Sequence, residues 1–172
     1  NHGIELCEDS DFNFMCDVED GPTANDSGDS DSGPNNYMNT PVINSVSQVG
    51  DQLTVNFDLD AADSPTDSYR VDFYLNDSAD GSGFGEGQIY LGGATSTNGN
   101  GQEVTITMDD SLQVTDGVVT ATTTAIDAST TSDFGATSEF SAVLSDNITY
   151  EPAPEEPTPT NNNTTNQNAT TD

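Results

Sequence analysis

The side chains in this sequence best equipped for chemistry are carboxylates. Residues 25–36 read NDSGDSDSGPNN and set Asp26, Asp29 and Asp31 among serines, glycines and asparagines with no base nearby. Calcium takes about six to eight oxygens from carboxylates, amides and backbone carbonyls and favours such flexible loops. Asp29 and Asp31, two apart with Gly33 following, echo the first half of a D-x-D-x-[DN]-G loop. Ser32 stands before the glycine and no Glu closes the far end, so the EF-hand reading fails. What remains is a looser Ca2+ loop of Asp26, Asp29, Asp31 and Asn35, or a solvated acidic linker. A second set, Asp77, Asp80 and Glu86, shares NDSADGSGFGEG, whose glycines either turn carbonyls toward a cation or make ordinary turns. A third, Asp58, Asp60, Asp63 and Asp67, crowds the connection before SYRVDFYL, where a cation or high salt would relieve mutual repulsion.

Other chemistries lack material. His2 is the only histidine, lysine is absent, and no G-x-S-x-G elbow occurs, so nucleophilic catalysis has almost no material to draw on. Paired carboxylates can cleave glycosides, but with 31 acids some pair lies at any chosen spacing. The chain also has no Trp to line a cleft. It is therefore read as not an enzyme. Cys7 and Cys16, the only cysteines, cannot supply the roughly four ligands of a structural zinc. A local disulfide is expected instead, which implies an oxidising compartment, with two free thiols as the alternative. Glycosylation sequons stand at Asn25, Asn76, Asn147, Asn162, Asn163 and Asn168; Asn and Thr are frequent enough that several arise by chance, and the Thr-rich tail equally suits O-linked sugar.

The 31 acids face a single base, Arg70, for a formal charge of −30. That balance excludes the usual nucleic-acid footprint, which needs clustered Lys or Arg, and disfavours anionic membranes. Cations are the natural partners, unless the charge is a salt-adaptation feature spread over the surface. Arg70 should pair with a nearby acid. There is no apolar run of about 18 residues, so no membrane-spanning helix is expected. With Asn1 rather than Met in first place, a processed, secreted protein is expected.

To position any of these groups the chain must first build a core, and only its middle can. Residues 1–36 are acidic and nearly free of periodic pattern, 37–150 alternate apolar and polar residues, and 151–172 hold no apolar side chain larger than Ala or Pro. QLTVNFDL puts Leu53, Val55, Phe57 and Leu59 on one face, and YRVDFYL does the same with Tyr69, Val71, Phe73 and Leu75. Further strands are expected over 42–46, 88–94, 103–108, 117–126 and 139–144, separated by turn clusters such as DGSGFGEG and STNGNG. The threonines of VVTATTTAI suit a half-solvated sheet. The expectation is an all-β chain: a seven-stranded antiparallel immunoglobulin-like sandwich with extended, non-globular N- and C-terminal segments. An eight-stranded barrel is the alternative. The Pro/Asn/Thr-rich tail reads as linker.

The runs DSGPNNYMNTPVI, YRVDFYLNDSADGSGFGEGQIYLG, VVTATTTAID and TSEFSAVL resemble the β-sandwich module that follows right-handed parallel β-helix repeats in large secreted bacterial surface proteins. The resemblance spans about residues 25–144. Ala79 and Val143 stand where many members carry cysteine, and DASTTSDFGA lengthens the loop before the last strand. NHGIEL resembles a single β-helix rung, with Ile4 and Leu6 facing one way, and a rung must lie on its own sandwich, continue a β-helix that has been cut away, or complete a sheet in a neighbouring molecule.

Together these features imply a non-enzymatic, secreted, extracellular or cell-surface structural protein, stabilised by calcium. It would partner other copies of itself or neighbouring surface proteins, as a subunit of an extracellular filament assembled by strand exchange through a terminal segment. The alternative is a carbohydrate-binding or adhesive module, for which Tyr37, Tyr74, Phe84 and Tyr90 are the available aromatic platform.

Overall fold

The computed structural model describes residues 22–30, 33–61, 68–109, 111–127 and 133–155. Period-two alternation gives β2 (Gln52–Leu59) and β3 (Tyr69–Asn76) their place: Leu53, Val55, Phe57 and Leu59, and Tyr69, Val71, Phe73 and Leu75, are all buried. Around them stand β1 (Val42–Val49), β4 (Ile89–Ser96), β5 (Gly99–Thr107), β6 (Val118–Asp127), β7 (Asp133–Thr137) and β8 (Ile148–Glu151). They form two four-stranded sheets, ordered β5-β2-β1-β8 and β4-β3-β6-β7. The inward faces meet in one core, where Phe57 and Phe73 make an edge-to-face contact with ring centroids 5.7 Å apart. Each such fully buried side chain contributes roughly 1.5–3 kcal/mol.

The strands depart from expectation in specific places. Strand β1 runs on to Val49, into a two-residue turn led by Gly50 at φ 60, the geometry of a tight hairpin. Strand β5 begins at Gly99, so the glycines of STNGNG lie inside a strand rather than in a turn. The stretch 139–144 is not a continuous strand. It tracks β6, but the amides of Thr123 and Ala121 donate to the hydroxyls of Ser138 (2.9 Å) and Ser141 (3.0 Å). Two serine side chains take bonds that a regular ladder would give to carbonyls, and only the bridge Val119–Leu144 to β6 survives. The strand beside β6 is β7, within the stretch read as a lengthened loop. Strand β8 was not expected at all; it lies parallel to β1, while every other pair is antiparallel.

The threonines of β6 are not half-solvated either. Thr120, Thr122 and Thr124 are buried because segment 137–142 covers the outer face of this central strand, and Thr123 is buried because it faces the core.

At the N-terminal side two asparagines do the work of a β-ladder. Asn25 donates from Nδ2 to the Thr40 carbonyl (2.8 Å) and accepts from the Thr40 amide (2.9 Å). Asn39 mirrors this with Asp26, accepting from its amide (3.0 Å) and donating to its carbonyl (2.7 Å). Residues 23–29 are thereby fastened to the end of the sandwich.

Candidate functional site

The acidic candidates separate once folded. Asp26 accepts from the amide and hydroxyl of Ser30 (3.1 and 2.8 Å), closing a local turn. Asp29 is 5% exposed and accepts from the Asn39 amide at 2.8 Å. Asn35 donates to the Thr137 carbonyl at 3.1 Å, which ties the Gly-Pro-Asn-Asn turn to β7. Asp31 lies outside the described residues. In the second loop Asp80 holds the amide of Ser82 (2.7 Å), whereas Asp77 and Glu86 are placed by their own amides, which donate to Gln88 and Asn76. In the third set Asp58 accepts from the Gly101 amide (2.6 Å), which, with the Asn44 side chain, holds its carboxyl below the usual range. Asp60 reaches back to the Gly28 amide at 3.1 Å, so folding brings it to the Asp26–Asp29 turn; Asp63 and Asp67 lie outside the described residues. Among the described residues no three acids, histidines or cysteines converge as a metal centre would require.

The outer face of the β4-β3-β6-β7 sheet is different in kind. Arg70 donates from Nε to Asp72 Oδ1 (2.9 Å) and from Nη2 to the Tyr90 hydroxyl (2.7 Å), and that hydroxyl donates to the same Asp72 oxygen (2.8 Å). The pairing of Arg70 with an acid was expected; its closure into a triangle by Tyr90 was not. A bulge between Phe73 and Tyr74 is responsible, because it inserts Leu91 and so sets Tyr90 rather than Leu91 opposite Tyr74. Gly93 makes the floor, since a Cβ there would stand 2.1 Å from Asp72 Oδ1 and 2.7 Å from the Val71 carbonyl. The Asp72 hydrogen bond raises the Arg70 pKa, and burial, reinforced by Asp72, raises that of Tyr90.

Aromatic rings flank this triangle. Tyr74 packs against Tyr90 (5.6 Å) and edge-on against Phe140 (5.2 Å), while Tyr90 and Phe134 are 52% and 65% exposed. An open groove of about 440 Å³ runs diagonally between them over Arg70, Asp72, Thr124 and Thr137. Of the aromatic platform read from sequence, Tyr74 and Tyr90 belong here. Tyr37 lays its ring on Gly33, and Phe84 lines another groove. Phe134 and Phe140 were missed, although Phe134 alternates outward on β7 once that strand is recognised.

That other groove, about 230 Å³, lies where β1 is half covered. Strand β8 pairs with Val46–Val49 and stops. Beyond it, on the side away from β2, residues 42–45 have no strand neighbour among the described residues, only the Asn147 side chain on the Asn44 carbonyl (2.8 Å). Val42 is 52% exposed there, beside Ile43, Phe84, Ala142 and Val143.

Of the remaining expectations, the Cys7–Cys16 disulfide and the sequons at Asn162, Asn163 and Asn168 lie outside the described residues. Asn25 and Asn147 are exposed. Asn76 is 1% exposed, with its carbonyl capping the amides of Glu86 and Gln88, and so cannot carry a glycan in the folded chain. Among the described residues no helix is long and apolar enough to cross a membrane. No family model matches the chain, and no curated protein matches it.

Proposed function

We propose that the chain is a non-enzymatic structural module of an extracellular surface. It is an immunoglobulin-like sandwich, stabilised by calcium, that joins copies of itself by strand addition. The half-covered edge of β1 is the observation that carries this reading. An edge strand whose first half has no strand neighbour among the described residues, beside an apolar groove, is a template for an incoming strand. Strand β8 already uses the same edge four residues further on, in parallel register. The sequence offers a candidate to fill the slot: paired as a strand, NHGIEL would turn Ile4 and Leu6 to one face. A head-to-tail contact of this kind does not close, and so builds a filament.

The immunoglobulin-like assignment rests on strand order. Lettered A, B, C, C′, E, F and G, strands β1 to β7 fall into sheets E-B-A and C′-C-F-G, with β8 added beside A. Calcium enters through the charge of −30, for which cations are the natural partners.

Electron microscopy and analytical ultracentrifugation of the full chain in calcium test the assembly. Filaments or large oligomers are expected, lost on deletion of residues 1–21 or in Val42→Lys, which places a charge on the edge. Monodisperse monomers of the intact chain under all conditions would sink the reading.

A further inference from the structure

We propose that the outer face of the β4-β3-β6-β7 sheet is a saccharide-binding site that stacks a neutral pyranose on Tyr90 or Phe134 and holds its hydroxyls with Arg70 and Asp72. Self-assembly through β1 is not required for it.

Three features define the ligand. The first is shape: among the described residues Tyr90 and Phe134 are the two most exposed aromatic rings, and they stand at opposite ends of one groove. Exposed rings at both ends with a polar stretch between suit a ligand that alternates flat apolar faces with polar edges, as a short oligosaccharide does. The second is hydrogen-bonding capacity. Asp72 uses Oδ1 for both Arg70 and Tyr90, which leaves Oδ2 as an acceptor; Arg70 uses Nε and one Nη2 hydrogen, which leaves Nη1 as a donor. A fixed acceptor beside a fixed donor matches a vicinal diol, each hydroxyl of which both gives and takes a hydrogen bond. Gly93 keeps the pair low on the sheet, so it forms a floor instead of a barrier.

Charge selects among candidates of that shape. An anionic ligand would cross the field of a chain at −30 to reach a guanidinium already neutralised by Asp72 at 2.9 Å. A quaternary ammonium would find aromatic rings but also the only arginine of the chain at the centre of the groove. A neutral ligand meets neither penalty.

Calorimetry of the full chain, with tyrosine fluorescence as a second readout, tests this against cellotetraose, mannotetraose and chitotetraose. Trigalacturonate and choline serve as the charged comparisons. At least one neutral tetrasaccharide should bind with a Kd between roughly micromolar and submillimolar. Phe134→Ala and Asp72→Asn should each weaken that binding by about tenfold or more. Both substitutions lie on an exposed face, so circular dichroism melts should confirm intact folding. Three outcomes would overturn the proposal: no tetrasaccharide binding at millimolar concentration, binding that survives both substitutions, or tighter binding of trigalacturonate or choline than of any neutral sugar.

Discussion

Thr123 faces the core of the sandwich from β6 at 0% exposure, and its hydroxyl has no hydrogen-bond partner. A buried hydroxyl in that state costs on the order of 1–3 kcal/mol, whereas a methyl of the same shape costs nothing of the kind. Thr123→Val should therefore stabilise the fold by about 1 kcal/mol, raising Tm by roughly 3 °C in a thermal melt. A lower Tm would mean that the hydroxyl has a partner after all. Single residues were legible to different degrees. Alternation along YRVDFYL put Arg70 outward, where an acid could be expected, because strand parity is a local property. Tyr90 could not be placed in the same way. Its contact with Arg70 depends on a bulge in β4, marked in the sequence only by Gly92, which takes φ 139.

At the scale of elements, strands whose alternation ran over at least seven residues were found in place, as β2 and β3 show. The failures share a cause: pairing was decided by side chains far away in sequence. Ser138 and Ser141 break the ladder of 139–144, while β7 and β8 are short strands whose partners β6 and β1 make them. Gln48 is a further case of long-range control. It is 1% exposed on β1, and it donates to the carbonyls of Gly50 (2.7 Å) and Leu112 (2.8 Å) while accepting from the Val114 amide (3.0 Å). One amide thus fastens the β1–β2 hairpin to the crossing that leads into β6. Gln48→Leu would strand the buried Val114 amide and two part-buried carbonyls, and should cost about 2–4 kcal/mol. Gln52→Leu, the same change on an exposed residue of the next strand, should cost less than about 0.5 kcal/mol. Urea denaturation of the two variants side by side measures the difference, and equal midpoints would show that Gln48 is not the tie.

For the molecule as a whole, the charge of −30 against one arginine was legible from composition, but its consequence depends on geometry. Carboxylates spread over the surface repel one another, and simple salt screens that repulsion with a Debye length of about 10 Å at 0.1 M. A bound cation does something else, stabilising the folded state by RT ln(1 + [L]/Kd), or about 2.7 kcal/mol at a hundredfold excess over Kd. Many described acids already answer the chain's own donors, as Asp26 answers Ser30, Asp29 answers Asn39 and Asp58 answers Gly101, so screening and binding make separable predictions. On the calcium reading, melts at fixed ionic strength should show Tm rising with the logarithm of free calcium, by roughly 5–10 °C at a hundredfold excess over Kd. Magnesium, which dehydrates reluctantly and demands octahedral geometry, should do distinctly less, and chelator should reverse the calcium effect. Coincident curves for calcium, magnesium and sodium chloride at equal ionic strength would leave screening as the whole account of the charge and remove calcium from the proposed function.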